Sequence, residues 1–132
     1  MSDARISYNF AVLRVVPHPY LGAFVPVGVV LHARTADFLK LTAVHDVSAL
    51  RALVGPHADI ETLARYIACL EQICDGNAEA GDIALLPSSE RFHWLTAPRS
   101  DVLQSSPVHG GLTADPAAAL ARLFVQYVLP SS

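Results

Sequence analysis

Three apolar segments near the start of this chain constrain its fold more than any other feature. They cover residues 6–16, 24–33 and 38–44. Apolar and polar residues alternate at the start of the first segment, and the second is rich in valine, which is typical of β-strands. Turn-forming prolines and a glycine separate these two segments, so we expect an antiparallel meander of three strands. Pro26 predicts an unpaired or bulged edge, and Gly28 predicts close approach by a neighbouring backbone or side chain.

Helix signals follow the strands. Asp46 is placed to cap a helix over residues 47–54 that ends at Gly55, and a second helix is expected over residues 59–75. Asp115 followed by proline marks the start of a last helix. The buried stripe of that helix is predicted to contain Leu120, Leu123, Phe124, Tyr127 and Val128.

The stretch before the last helix suggests further strands. We expect a short strand at residues 83–86, and a hairpin in which residues 91–97 pair with residues 102–105. The predicted fold is a single α+β domain over residues 1–132. In it an antiparallel β-sheet, the N-terminal three-stranded meander plus the later hairpin, packs against two or three helices.

Composition narrows the possible partners. Hydrophobic residues make up 52% of the chain and charged residues only 16%, against roughly a quarter charged in an average domain. A homo-oligomer or a protein partner would cover such an apolar surplus, and a well-filled core rich in alanine would also explain it. The net charge of −3, without a basic run, makes nucleic acid an unlikely partner.

The sequence also indicates where the protein resides. No apolar run reaches membrane-spanning length, and the N-terminus lacks the core of a signal peptide. Cys69 and Cys74 lie five positions apart on a predicted helix, which is neither a disulfide framework nor a metal-ligand spacing. We therefore expect a cytoplasmic protein with reduced thiols, no membrane contact, no metal and no cofactor.

Polar side chains concentrate in residues 91–111, which also hold the single tryptophan of the chain. If the hairpin forms, arginine and neutral donors on one face would bind an anion such as a phosphate, a carboxylate or an acidic peptide. The predicted ligand-binding residues are Arg14, Arg91, His93, Arg99, Ser100, Gln104, Ser106 and His109. The alternative is structural: the arginines pair with Glu90, Asp101 or Asp115, and the histidines bond backbone carbonyls. His32 and three other histidines near element ends are assigned turn or cap roles.

Several segments resemble a known family. They are residues 8–17, residues 24–31, and Arg91-Phe92-His93-Trp94 followed by Ala97-Pro98-Arg99-Ser100 and Ser106-Pro107-Val108-His109. Together they are similar to the bacterial family called domain of unknown function 3037, over roughly residues 6–128. The resemblance implies a small cytoplasmic protein without an established activity. It also implies a HipA-like kinase as partner, because genes of the family often neighbour such proteins.

These observations lead to two functional hypotheses. The first is an accessory protein without catalysis that engages a protein partner or an anionic ligand through the face at residues 91–109. The second is a phosphoryl-directed hydrolase or nuclease-like enzyme, in which His93 and His109 act as acid and base and Arg91 or Arg99 stabilises the developing charge. In a separate catalytic arrangement, Ser100, Ser105 or Ser106 beside a histidine is the nucleophile. The chain has no Gly-rich phosphate loop and no nucleophile elbow, so the first hypothesis is preferred.

Overall fold

An open, five-stranded antiparallel sheet organises the fold. In a computed structural model the described residues are 4–16, 24–55, 59–97 and 103–129. The central strand β1 (Ile6–Val15) pairs on one side with β2 (Val25–Ala33), which in turn pairs with β3 (Phe38–Ala43). Its other side pairs with two short strands, β4 (Leu103–Ser105) and β5 (His109–Thr113). The predicted α+β class and the meander of the first three strands are confirmed.

Helices cover both faces of the sheet. Three of them, α1 (Val47–Val54), α2 (Ile60–Cys74) and α3 (Ser88–Thr96), lie on one face, which we call the α1–α3 face. The fourth, α4 (Pro116–Tyr127), packs on the opposite face, called the α4 face. Because successive strand residues point to opposite faces, Leu13 and Val15 enter the first core cluster, whereas Tyr8, Phe10 and Val12 enter the second.

The predicted helix starts are confirmed. Asp46 accepts a hydrogen bond from the Ala49 amide at 2.9 Å, and Asp59 accepts one from the Thr62 amide at 3.2 Å. At the start of α4, whose first residue is proline, Asp115 accepts a hydrogen bond from the Ala118 amide at 3.2 Å. Each carboxylate satisfies an amide that has no partner within its own helix.

Pro26 and Gly28 have the predicted roles. The register between β1 and β2 shifts where Leu13 pairs with Gly28 and Arg14 pairs with Pro26, so the strand is bulged there. A Cβ placed on Gly28 would lie 2.9 Å from the Cβ of Ala43 on β3. The glycine therefore permits the close approach of the neighbouring strand.

Two predicted elements are wrong. Residues 83–86 were expected to be a strand, but Asp82–Leu85 forms a 3-10 helix. Residues 91–97 were expected to form one arm of a hairpin, but they lie in and just after α3, and residues 103–105 pair with β1 instead. The helix forms because Phe92 and Leu95, three positions apart, both reach the core of the α1–α3 face. None of the helices in the described ranges is long and apolar enough to cross a membrane.

Candidate functional site

The sheet separates the residues that were predicted to share one ligand-binding face. The ring of His109 lies 5.6 Å from that of Phe10, between centroids, and so belongs to the α4 face. Arg14 alternates with Leu13 and Val15, and its pair across the ladder is Gln104, which places both on the α4 face as well. His93 lies on α3 at the opposite face. The prediction of a single face at residues 91–109 is therefore wrong, because it depended on the hairpin.

Arg14 contacts an aromatic ring. Its guanidinium carbon lies 4.0 Å from the centroid of the Phe24 ring, a cation–π contact. Its Nε is the one buried side-chain nitrogen or oxygen of the described residues without a hydrogen-bond partner.

Arg91 holds the end of a helix. Its Nε donates to the Leu86 carbonyl at 2.9 Å, and its Nη1 donates to the carbonyls of Ile73 at 3.0 Å and Cys74 at 2.6 Å. The last carbonyls of α2 have no partner within that helix. Arg91 donates to Cys74 and adds a second donor at Ile73, whose carbonyl also accepts from the Gly76 amide at 3.1 Å. This arrangement agrees with the structural alternative for Arg91, with carbonyls as partners in place of carboxylates.

Ser106 is bound to the central strand. Its hydroxyl oxygen accepts a hydrogen bond from the Val12 amide at 2.9 Å, and its own amide donates to the Val12 carbonyl at 2.8 Å. These bonds bridge the irregular stretch between β4 and β5, where Leu13 pairs with Ser105 but Phe10 pairs with His109. Arg99 and Ser100, which were also predicted to bind the ligand, lie outside the described residues.

The structure reveals a cleft that sequence reasoning missed. It lies between α3 and the start of β1 on the α1–α3 face and has a volume of about 490 Å³. Its lining residues are Ser7, Tyr8, Asn9, His32, Arg34, Ser89, Phe92, His93, Thr96 and Val108. Among these residues, Arg34 carries a positive charge and none carries a carboxylate. We call it the His32 cleft.

His32 is the best-defined polar group of this cleft. The residue is 6% exposed, and every other buried residue of the described chain is of a hydrophobic type. The ring stacks on Phe92 with centroids 5.4 Å apart. Burial lowers the pKa of His32 from its ordinary value, and the charges of Arg34 and Arg91 lower it further, against the opposing effect of Asp37. We therefore assign a neutral imidazole at neutral pH.

Ser88 connects His32 to Asp37. The Ser88 hydroxyl donates to the Asp37 carboxylate at 3.0 Å, and its Oγ lies 3.3 Å from Nε2 of His32. Asp37 has φ 48°, which makes it the one non-glycine residue of the described ranges in the left-handed region. Its amide donates to the Arg34 carbonyl at 3.0 Å, so a single tight turn carries both Arg34 and Asp37.

The lining of the cleft is rich in hydrogen-bond donors. The guanidinium of Arg34, the hydroxyls of Ser7 and Ser89 and the carboxamide of Asn9 line it together with the two imidazoles. In the described part of the chain, no three His, Cys, Asp or Glu side chains lie close enough to hold a metal ion. His93 and His109 lie on opposite faces of the sheet, so they do not converge on one substrate atom as the hydrolase hypothesis requires.

One signal in the sequence pointed to this cleft. His32 interrupts a strand that is otherwise apolar, and its parity places it on the same face as Val30, whose side chain enters the α1–α3 core. A histidine on a core-facing position needs a hydrogen-bond partner. That partner, Ser88, is 56 positions away in the sequence.

Comparison with known proteins identifies the family. The family model described as "Protein of unknown function (DUF3037)" matches residues 10–128. This range covers most of the chain, so the chain belongs to this family, as the resemblance indicated. No curated protein and no solved structure matches the chain.

Proposed function

We propose that this member of the DUF3037 family is a binding protein that holds a small anionic ligand in the His32 cleft. The observation that carries the proposal is the composition of the lining: Arg34, two imidazoles and several neutral donors, without a carboxylate among the lining residues. The protein as a whole carries a net charge of −3, so a cleft without carboxylates is a local departure from the average surface. Such a lining attracts anions.

The individual groups fit a carboxylate or a phosphate. The guanidinium of Arg34 is exposed and is shaped to donate two parallel hydrogen bonds to an oxyanion. The hydroxyls of Ser7 and Ser89 and the amide of Asn9 are neutral donors that favour no single orientation of the anion. Phe92 forms an apolar wall against which the non-polar part of a ligand can pack.

Binding is favoured over turnover. The hydrolase hypothesis needs an acid and a base on the same substrate, and the sheet separates His93 from His109. Ser106, one of the serines considered as a nucleophile, uses its hydroxyl in hydrogen bonds to Val12 and Pro107. The accessory role without catalysis therefore remains the better hypothesis, with the ligand site moved from the 91–109 face to the His32 cleft.

The test measures the affinity of three proteins for inorganic phosphate and for acetate by NMR titration at constant ionic strength. We expect Arg34→Gln to bind either anion about fivefold more weakly than the wild type, since an exposed ion pair contributes about 1 kcal/mol. Arg122→Gln is the matched control, because Arg122 is an exposed arginine on α4, on the opposite face of the sheet. Equal affinities in all three proteins, or no binding of either anion by the wild type, would refute the proposal.

We also propose that the protein resides in the cytoplasm. Both cysteines of the chain, Cys69 and Cys74, are free thiols, which supports a reducing cytosol. Burial raises the pKa of Cys74 to about 12, so its thiol is unreactive. Self-association and a HipA-like kinase partner stay predictions.

A further inference from the structure

We infer that the ligand of the His32 cleft carries a hydrogen-bond donor, such as a hydroxyl, close to its anionic group, and that His32 accepts this hydrogen bond through Nδ1. The inference rests on the proposed function and specifies the class of ligand: a hydroxylated anion rather than a simple one. Its basis is the geometry of three residues, His32, Ser88 and Asp37.

The Ser88 hydroxyl lies between two acceptors, the Asp37 carboxylate and the His32 ring. A serine hydroxyl has one proton to donate, and a carboxylate is a stronger acceptor than a neutral imidazole nitrogen. Ser88 therefore donates to Asp37, at 3.0 Å, and its Oγ is left as an acceptor towards Nε2 of His32, at 3.3 Å. For this contact to be a hydrogen bond, Nε2 must carry the proton.

The other ring nitrogen of His32, Nδ1, is then an acceptor. A neutral imidazole with a proton on Nε2 has a lone pair on Nδ1. Within the described residues, the His32 ring makes its hydrogen bond to Ser88 through Nε2. The one buried nitrogen or oxygen there without a partner is Arg14 Nε, so Nδ1 of His32 is not a buried, unpartnered atom. Since the ring lines the cleft, we assign this lone pair to the cleft.

The turn that holds Asp37 has a left-handed backbone conformation at this residue. A left-handed backbone conformation costs a non-glycine residue roughly 1–2 kcal/mol, and aspartate is among the residues that tolerate it best. Such a conformation is retained only where its surroundings stabilise it. Here the turn directs the Asp37 carboxylate to Ser88 and carries Arg34 three positions earlier. One turn thus supplies the cation of the cleft and fixes the tautomer of its histidine.

The charged groups around His32 allow this acceptor role at neutral pH. Burial lowers the pKa of His32, Arg34 and Arg91 lower it further, and Asp37 raises it. A neutral ring accepts a hydrogen bond, whereas a protonated ring only donates. The Arg34 guanidinium and the Nδ1 lone pair together therefore match a ligand that presents both an oxyanion and a hydroxyl.

The tautomer is measured directly by long-range ¹H–¹⁵N NMR of the His32 ring. We expect a proton on Nε2 and a free Nδ1 in the wild type at neutral pH, and a mixture of tautomers in Ser88→Ala. Ser48→Ala, a change at an exposed serine on α1 outside the cleft, should leave the signals unchanged. A proton on Nδ1 of the wild-type protein would overturn the inference, and this result does not depend on whether any variant folds.

Ligand selectivity is measured with glycerol 3-phosphate and propyl phosphate, which differ in the hydroxyl groups. We expect glycerol 3-phosphate to bind the wild type about three- to tenfold more tightly, as one net hydrogen bond provides. In Ser88→Ala the ratio of the affinities for the two esters should approach one, while the affinity for propyl phosphate is retained. Equal binding of the two esters by the wild type would overturn this inference alone. Failure of both esters and of inorganic phosphate to bind would overturn the proposed function as well.

Discussion

Gly111 lies beneath the ring of Tyr8, its partner across the ladder between β1 and β5. A Cβ placed on Gly111 would lie 2.5 Å from both Cζ and the hydroxyl oxygen of Tyr8. Tyr8 is 7% exposed and belongs to the core cluster under α4, so its ring has little room to move. The neighbouring Gly110 is different, because the nearest atom to a Cβ there is Asn9 Oδ1 at 3.5 Å, an ordinary contact.

Gly111→Ala should therefore destabilise the protein, whereas Gly110→Ala should not. We expect a loss of about 1–3 kcal/mol in the free energy of unfolding for Gly111→Ala, because the added methyl group overpacks the site. Gly110→Ala should stay within about 0.5 kcal/mol of the wild type. Urea unfolding followed by circular dichroism measures both. Equal unfolding midpoints for the two variants would mean that the Tyr8 ring does not cover Gly111.

Arg91→Lys should destabilise the protein although it conserves the charge. Lysine cannot reproduce the fork by which Nε and Nη1 reach the carbonyls of Leu86, Ile73 and Cys74. Hydrogen bonds from charged donors contribute about 1.5–3 kcal/mol each, so we expect a loss of about 2 kcal/mol in the free energy of unfolding. Arg65→Lys is the control, since Arg65 makes an exposed hydrogen bond to Thr62 within α2.

The phosphate affinity of Arg91→Lys separates the structural role of Arg91 from the ligand-binding role that the sequence suggested. If Arg91 caps α2, Arg91→Lys should lower stability and leave the affinity for phosphate near that of the wild type. A stable Arg91→Lys protein that binds phosphate weakly would instead support a role in ligand binding.

His32 should make the stability of the fold depend on pH. Its pKa is lowered in the folded state from the ordinary value of 6.5, so the unfolded chain takes up the proton first as the pH falls. The stability of the native state is therefore complete above about pH 7 and decreases as the pH falls through 6.5 towards the folded-state pKa. His32→Gln should remove this decrease, as urea unfolding at a series of pH values would show.

Glu71 changes the pH dependence of stability in the opposite direction to His32. Burial raises the pKa of its carboxyl group, so protonation of Glu71 at lower pH favours the folded state. The comparison of wild type and His32→Gln removes this contribution, since both proteins contain Glu71. His109→Gln, a change at an exposed histidine, should retain the decrease below pH 6.5. An identical pH dependence in His32→Gln and the wild type would contradict the assignment of a buried, neutral His32.

Elements with local signals could be predicted from the sequence. The first three strands follow from apolar segments separated by turn residues, α1 and α4 follow from the caps Asp46 and Asp115, and α2 follows from the helix pattern over residues 59–75. Each of these signals acts within a few residues of the element that it starts.

The element α3 could not be predicted in this way. In Arg91-Phe92-His93-Trp94 polar and apolar residues alternate, which imitates a strand. The helix depends on contacts far along the chain, such as the hydrogen bond from Arg91 to the Ile73 carbonyl, 18 positions away. A local sequence pattern does not show contacts between residues that are so far apart in the chain.

The cleft was missed for the same reason. His93 was among the predicted ligand residues and does line the cleft, but its neighbours there come from β1, from β2 and from the turn at Arg34. They meet only because α3 is a helix that packs against this side of the sheet. An error in one element therefore moved the predicted site to the wrong face.

The location of the anion site is the central claim, and amide chemical shifts measured during a titration with inorganic phosphate test it most directly. We expect the signals of Arg34, Ser89 and His93 to move with phosphate, while those of Gln104 and His109 on the opposite face of the sheet stay in place. Movement of Gln104 and His109 with the cleft signals unchanged would place the site on the α4 face and contradict the account.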